Sequence, residues 1–376
     1  MRLRRAQITT NGREHLALKA AAVIGVIVLA VWLPYAVPSY RVFQFSLVLV
    51  YAVAVLGLNL LTGYNGQISL GHSFFFAMGA YASAILMQDH GWPYLTTLPV
   101  AFALTFVLGF LFGLPALRLE GLYLALVTLA LAVVVVPFLK RFDTITGGSQ
   151  GIVVTKPAAP SWVDLRDDQW QYFVCLVIGV VMFVIARNLV NGRVGRAVVA
   201  IRDNELAAET MGVRLSIFKS LTFAYSAAFA GVAGGLYTFV VGYVSPDSFN
   251  VVLAISLLAA MVVGGLATIG GAVFGALFIE FVPVYAQDIS DALAGVIYGA
   301  ALIAVMFLMP GGVMGLLRRV WGLVVDMRPA AVGEAGPGAR PSAGEPDEHL
   351  VTLRRDGGPE QPARGSEREL ETRERG

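Results

Sequence analysis

The sequence predicts an all-α integral membrane protein, a polytopic bundle of about ten transmembrane helices. Hydrophobic residues make up 57% of the 376 residues, charged residues only 14%, and the mean hydropathy is +0.72. This composition leaves too little polar surface to cover a water-soluble protein of this length. The apolar residues also form long runs without the alternation of barrel strands, and about 20 such residues cross the hydrocarbon as a helix.

Ten apolar runs are predicted to be transmembrane spans, of which the third and the ninth are short. Helix is the expected conformation of each run, because an open strand would leave backbone groups without hydrogen bonds in lipid. The predicted spans are 18–37, 42–61, 72–87, 94–115, 119–138, 170–187, 217–239, 250–266, 271–286 and 290–309. They place the transmembrane domain at 18–317.

The two ends of the chain are polar. Residues 1–17 form a basic arm, and the apolar run that follows lacks a convincing cleavage site, so we interpret it as a retained helix and not as a signal peptide. Residues 318–376 form a tail that we expect to be disordered after about residue 327, because it is too polar to offset its ordering entropy. The arginine and lysine bias of the short loops favours both termini in the cytoplasm.

The sequence offers no residue set for metal binding or catalysis. Cys175 is the only cysteine, and the four histidines show no HxxxH spacing, so we expect no metal site and no cofactor bound by this chain. A net charge of +2 gives no argument for nucleic-acid binding. The glycine-rich segment 146–152 lacks the Lys-Ser/Thr of a phosphate-binding loop and is interpreted as a turn or a short outer-gate loop.

The longest loop on the predicted cytoplasmic side is 188–216. Within it, residues 196–211 place apolar side chains on one face and predict a helix that Gly212 ends. Such a helix could lie on the lipid head groups, dock in a groove of a soluble partner, or merely connect two spans. Acidic residues such as Asp203 and Glu205 argue against a simple lipid-surface helix.

The stretch NLLTGYNGQISLGHSFFFAMGAY, residues 59–81, places polar side chains and glycines between two apolar runs. Non-helical backbone at membrane depth is tolerated only where protein buries it or a cavity wets it. The polar side chains could therefore satisfy the freed backbone groups, or the break could form part of a solute path or its inner gate. The residues in question are Asn59, Asn65, Gln67, Ser69 and His72.

Glu280 is a further candidate for the solute path, because it is the only carboxylate well inside a predicted span. The alternative is structural: a carboxylate that faces the bundle interior and is held by a hydroxyl or backbone group. A proton relay would need partners, and none is near in the sequence.

Several motifs together resemble one family. The segment ELAAETMG is similar to the EAA loop of ATP-binding-cassette (ABC) importer permeases: Ala207, Ala208 and Gly212 have its spacing, whereas Leu206 replaces its glutamate and its Ile-x-Leu-Pro ending is absent. Six stretches resemble the permeases of branched-chain amino-acid (LIV-type) ABC transporters and follow the order of that family. They are 57–84, 117–132, 146–152, 195–213, 263–278 and 310–317, so that the resemblance covers about residues 40 to 317.

The resemblance implies a multi-pass subunit of the bacterial inner membrane that imports branched-chain or related hydrophobic amino acids by alternating access. It implies no ATPase motif in this chain. The implied partners are ATPase subunits that hydrolyse ATP, a sister permease, an extracytoplasmic solute-binding protein and the surrounding lipid. The residues expected to couple to the ATPase are Gly195, Arg202, Asp203, Glu205, Ala207, Ala208 and Gly212.

Two other functions stay open from the residues alone. An ion-coupled secondary transporter usually carries several buried ionisable groups, and here only Glu280 is available. An intramembrane enzyme needs a convergent set of nucleophile, base or metal ligands, which the sequence does not show. Uptake that stops when ATP is depleted but persists without an ion gradient would exclude the secondary transporter.

Overall fold

The computed structural model describes residues 6–9, 25, 27–117, 119, 121–161 and 163–328, with the backbone alone at 6–9 and 321–328. Most of the predicted basic arm, the start of the first predicted span and the tail beyond residue 328 lie outside the described residues. Among the described residues, helices dominate and the prediction of an all-α membrane bundle is confirmed.

The helices follow the apolar runs of the sequence. They are α1 (Ile27–Ala36), α2 (Ser39–Leu58), α3 (His72–Gln88), α4 (Tyr94–Ala116), α5 (Leu122–Arg141), α6 (Asp143–Thr146), α7 (Asp167–Asn191), α8 (Arg193–Asp203), α9 (Glu205–Thr210), α10 (Leu215–Val241), α11 (Val251–Gly264), α12 (Gly271–Ile289), α13 (Ala294–Leu308) and α14 (Gly312–Val324). Short strands pair β1 (Ala6–Thr9) with β4 (Val325–Arg328) in parallel and β2 (Ile152–Val153) with β3 (Tyr243–Val244) antiparallel.

Each predicted span coincides with a described helix. Seven helical segments of the described chain are long and apolar enough to cross a membrane, whereas α1, as far as it is described, and α11 are shorter apolar helices. The third span was predicted to be short, and α3 has 17 residues. The ninth span, also predicted to be short, is longer than expected, because α12 has 19 residues. At the far end, α14 continues to Val324, past the predicted domain end at 317.

The helix α10 lies at the centre of the bundle and packs against α2, α3 and α4. Glycines permit this packing: a Cβ on Gly79 of α3 would collide with the backbone of Gly231 on α10, and one on Gly57 would lie 2.6 Å from Phe229 Cβ. Helices in membranes approach this closely where small residues face each other. The glycines of α10 therefore lie on a packing surface.

Two hydroxyl groups on α10 bond to the backbone of its neighbours. Ser226 Oγ donates to the carbonyl of Gly57 on α2 at 2.6 Å. Thr238 Oγ1 donates to the carbonyl of Ala80 on α3 at 3.0 Å. These bonds tie α10 to two helices at two depths in the bundle.

The loops divide between the two ends of the bundle. At the end predicted to be cytoplasmic, the loops that follow α2, α7 and α11 come together. At the other end, Lys140 forms an ion pair with Asp247 at 2.8 Å, and β2 pairs with β3. Segment 146–152 lies at this second end as a series of turns with a short 3-10 helix, in agreement with the predicted turn.

The outer surface of the bundle is apolar. Helix α13 has no buried residue, and α5 exposes large side chains such as Leu122 and Tyr123. A surface of this kind suits lipid or another hydrophobic subunit.

Candidate functional site

The predicted polar break begins with a π-helix, Asn59–Tyr64, which continues α2. Asn59 is buried, and its side chain binds the turn between α11 and α12: Nδ2 donates to Thr268 O at 2.8 Å, and Oδ1 accepts from Ala267 N at 2.9 Å. Ala267 has a φ of +54°, a left-handed conformation that a non-glycine residue rarely adopts. Asn59 therefore joins the π-helix to a strained turn.

Residues 65–71 run without regular structure from the π-helix into the bundle. Thr62 Oγ1 donates to Gln67 O at 2.9 Å, and Leu70 N donates to Thr128 Oγ1, in the second turn of α5, at 2.9 Å. These hydrogen bonds take up backbone groups that a helix would pair internally. Helix α3 consequently begins inside the bundle and not at its surface.

His72, the first residue of α3, links three helices. Its Nε2 lies 2.7 Å from Ser226 Oγ, which donates to Gly57 O. The single hydroxyl proton is used in that bond, so the hydrogen-bond network assigns the ring proton to Nε2, which donates to Ser226. No described residue bonds Nδ1. The His72 ring thus joins α3 to α10 and, through Ser226, to α2, a geometry that fits packing.

The candidate path residues divide into two groups. Asn59, Ser69 and His72 make hydrogen bonds within the chain. The Asn65 amide and Gln67 Oε1 are buried and find no partner among the described residues. Buried polar groups are normally paired, so these two side chains, like the Nδ1 of His72, are available to bind water or a polar solute.

Glu280 is not brought together with the polar break. It lies in the middle of α12, about 13 Å along the helix from its first residue, Gly271, at a rise of 1.5 Å per residue. The side chain is half-buried and forms no hydrogen bond or ion pair with another described residue.

The loop predicted to couple to an ATPase forms two helices, α8 and α9, and not the single helix predicted at 196–211. Asn204 separates them with extended dihedrals (φ −160°, ψ 108°), and its side chain accepts a hydrogen bond from Ala207 N at 3.0 Å. Asparagine at this N-cap position satisfies a free N–H of the first turn. Gly212 follows α9 with a φ of +84°, in agreement with its predicted role as the terminating glycine.

Helix α8 rests on the end of the bundle. Gly195, Val198 and Ile201 form its buried face. Arg202 Nη1 donates to Gly63 O in the π-helix at 3.0 Å, and the same guanidinium lies 3.0 Å from Asp203 Oδ1. Helix α8 is thus fastened to the segment that carries the polar break.

Helix α9 contacts the bundle differently. Ala208 is buried, and Glu205 Oε2 lies 2.6 Å from Lys219 Nζ on α10; the lysine side chain is 8% exposed and the glutamate 42%. Leu206 and Met211 remain 77% and 86% exposed. The predicted coupling residues Arg202 and Glu205 therefore already have partners inside this chain, and α9 presents apolar side chains outwards.

Sequence reasoning missed Asn204 and Lys219. An asparagine directly before Glu-Leu-Ala-Ala is a local N-cap signal, but the apolar periodicity runs on through it. Lys219 lies inside the predicted span 217–239. A charged side chain within a span is a functional candidate, as for Glu280, so its position was the signal that could have identified it.

Comparison with known proteins identifies the family. Residues 41–306 match a family described as "Branched-chain amino acid transport system / permease component". The chain belongs to this permease family. It is 31% identical over 318 residues to the "High-affinity branched-chain amino acid transport system permease protein LivM" of Escherichia coli (strain K12), covering 78% of this chain and 75% of that protein.

Two further relatives support the assignment. The permease is 24% identical over 281 residues to the "High-affinity branched-chain amino acid transport system permease protein BraD" of Pseudomonas aeruginosa, which covers 70% of this chain and 91% of that protein. A "Probable branched-chain amino acid transport permease protein LivH" from Methanocaldococcus jannaschii is 33% identical over 137 residues, covering 36% of this chain and 40% of that protein. No solved structure matches the chain.

The motif resemblance is confirmed by these matches and by the fold. The permease is the transmembrane transport subunit of a branched-chain amino acid ABC transporter, a multi-pass protein of the bacterial inner membrane.

Proposed function

We propose that this permease carries branched-chain or related hydrophobic amino acids into the cytoplasm by alternating access, driven by partner ATPase subunits. The observation that carries the proposal is the α8–α9 element, which extends from one end of the bundle and is fastened to it by Arg202 and Glu205. ATP is bound and hydrolysed by the partners, and this chain itself holds no cofactor.

Helix α9 is the surface that the ATPase would cover. Leu206 and Met211 are the most exposed large apolar side chains of the element. Exposed apolar residues on a short helix suit a hydrophobic groove in a soluble partner. We expect the groove to bury Leu206 and Met211, while Asp203, with its side chain 63% exposed, lies at the rim.

The remaining partners follow from the same function. A sister permease would cover part of the apolar surface on which α5 and α13 lie, and lipid would cover the rest. An extracytoplasmic binding protein would deliver the solute to the end at which β2 and β3 pair. This arrangement places both termini and the α8–α9 element in the cytoplasm.

The polar break is the proposed inner part of the solute path. An amino acid with an apolar side chain needs apolar walls together with a few polar groups for its charged ends. Asn65 and Gln67 have buried polar atoms without partners among the described residues, so they can supply such groups.

The decisive experiment is reconstitution. The permease would be co-expressed with candidate ATPases, sister permeases and binding proteins, purified as a complex and placed in liposomes. Labelled leucine, a polar amino acid, a sugar and urea would then be offered with and without ATP. Leucine uptake that requires ATP and withstands an ionophore supports the proposal. Uptake that follows an ion gradient without ATP would show an ion-coupled transporter instead.

A second experiment tests the docking surface. Leu206→Ala with Met211→Ala should reduce the amount of ATPase that co-purifies, while the thermal stability of the isolated permease stays unchanged because both side chains are exposed. Val153→Ala, which alters an equally exposed apolar residue at the opposite end, is the matched control. Equal ATPase recovery from all three proteins would contradict docking at α9.

A further inference from the structure

The coupling element has two separate attachments to the bundle. Asn204 interrupts the helical hydrogen bonding between α8 and α9. On the α8 side, Arg202 bonds to the π-helix, and on the α9 side, Glu205 bonds to α10. A movement of α9 can therefore reach α10 without first passing through α8.

Besides the connecting residues 211–214, one ion pair attaches α9 to α10. A cavity of about 560 Å³ lies beside this pair, with Leu117, Glu205, Gly212, Leu215 and Lys219 in its lining. Apolar packing between α9 and the start of α10 is therefore limited, and Ala208 is the only residue of α9 that is buried. Apart from the connecting residues 211–214, force applied to α9 therefore reaches α10 mainly through Glu205 and Lys219.

The ion pair is held more firmly than a surface pair. Lys219 is nearly buried, and Glu205 is the only carboxylate within ion-pairing distance of it among the described residues. A buried ammonium without its counter-charge is strongly unfavourable, so the two groups stay together when α9 moves. Since glycine contacts pack α10 tightly against α2, α3 and α4, a displacement of Lys219 acts on the centre of the bundle.

We propose that the Glu205–Lys219 ion pair transmits the movement of α9 to α10, so that Glu205 and Lys219 are positioning residues for coupling and not contacts for the ATPase. The proposal rests on the proposed function, because it requires an ATPase that moves α9.

The test compares import with ATP hydrolysis in the reconstituted complex. Glu205→Gln and Lys219→Met remove the charge from one partner each, and the double variant Glu205→Lys with Lys219→Glu exchanges the charges. Ser220→Ala alters the residue next to Lys219 on α10, whose buried hydroxyl has no partner among the described residues, and serves as the matched control. Co-purified ATPase, ATP hydrolysis and leucine uptake are measured for each protein.

The single variants should bind the ATPase and hydrolyse ATP like the unaltered complex, while leucine imported per ATP falls about tenfold, within the usual range of coupling between sites. The charge exchange should restore most of the ratio of leucine imported to ATP hydrolysed, and Ser220→Ala should leave that ratio unchanged. An unchanged ratio in the single variants would overturn the proposal.

Three other results would also overturn it: loss of the ATPase from the single variants, loss of the folded protein, or a charge exchange that stays uncoupled. Loss of the ATPase would show that the pair is a docking contact, and loss of the folded protein would show that its role is structural. Failure of the unaltered complex to bind an ATPase or to import leucine would instead refute the proposed function.

Discussion

The hydrogen bonds of Asn59 should be among the most important polar contacts of the permease for stability. Asn59→Ala removes the donor to Thr268 O and the acceptor of Ala267 N in one step. Both backbone groups belong to the turn that holds Ala267 at a φ of +54°. The side chain is 1% exposed, so water cannot readily replace the lost bonds.

The magnitude follows from the two bonds. A side-chain hydrogen bond within a membrane protein contributes about 0.6 kcal/mol on average and up to about 1.7 kcal/mol. A buried backbone group left without a partner costs about 1–3 kcal/mol. Because Asn59 makes two bonds at a buried site, the free energy of unfolding should fall by about 2–3 kcal/mol.

The assay is reversible unfolding of the purified permease in mixed micelles, followed by tryptophan fluorescence. Ser83→Ala is the matched control, since Ser83 is fully buried and its hydroxyl has no partner among the described residues. Removing an unpaired hydroxyl should leave the free energy of unfolding unchanged or raise it. Asn59→Ala as stable as Ser83→Ala would refute the view that Asn59 secures the α11–α12 turn.

Three further predictions concern α10 and the coupling element. Gly79→Val should reduce the amount of folded permease in the membrane, because the new side chain would meet the backbone of Gly231 and overpacking costs about 1–3 kcal/mol. Gly179→Val should be tolerated, because a Cβ at that position meets no atom within 4 Å. Ser226→Ala should lower the free energy of unfolding by about 1 kcal/mol because it loses two hydrogen bonds. A similar loss in Ser220→Ala, whose hydroxyl has no partner among the described residues, would contradict this reason. Gly212→Pro should abolish uptake without affecting membrane insertion, because proline cannot adopt a φ of +84°. Gly212→Asn should retain uptake, because asparagine tolerates the left-handed region. Normal uptake by the proline variant would contradict the need for a left-handed residue after α9.

The sequence predicts the helices of this permease well, because the physical cause is local. An apolar run in lipid has no alternative to a helix, and the predicted spans accordingly coincide with described helices. Gly212 was predicted from its position after a periodic segment, and its left-handed dihedral confirms the prediction.

The contacts of the candidate site could not be predicted from the sequence, because they join residues that are far apart in the chain. The partners of Asn59 lie 208 and 209 residues away, and no local pattern pairs an asparagine with a distant backbone turn. Arg202 and Glu205 look like surface residues in a polar loop, but their bonds to Gly63 and Lys219 depend on how the bundle assembles. The candidate site residues can thus be predicted from their residue type, whereas their hydrogen-bond and ion-pair partners can be identified only from the fold.

The two hydroxyl bonds of α10 have a consequence for how this helix can move. Ser226 and Thr238 are about 18 Å apart along the axis, and each bonds a carbonyl on a different neighbouring helix. Sliding α10 along its axis by one turn would break both bonds at once. A small tilt about a point between them would instead stretch each bond only slightly. The two bonds therefore oppose sliding of α10 along its axis more than a tilt, and a tilt about a point between them would displace Lys219, near the start of the helix.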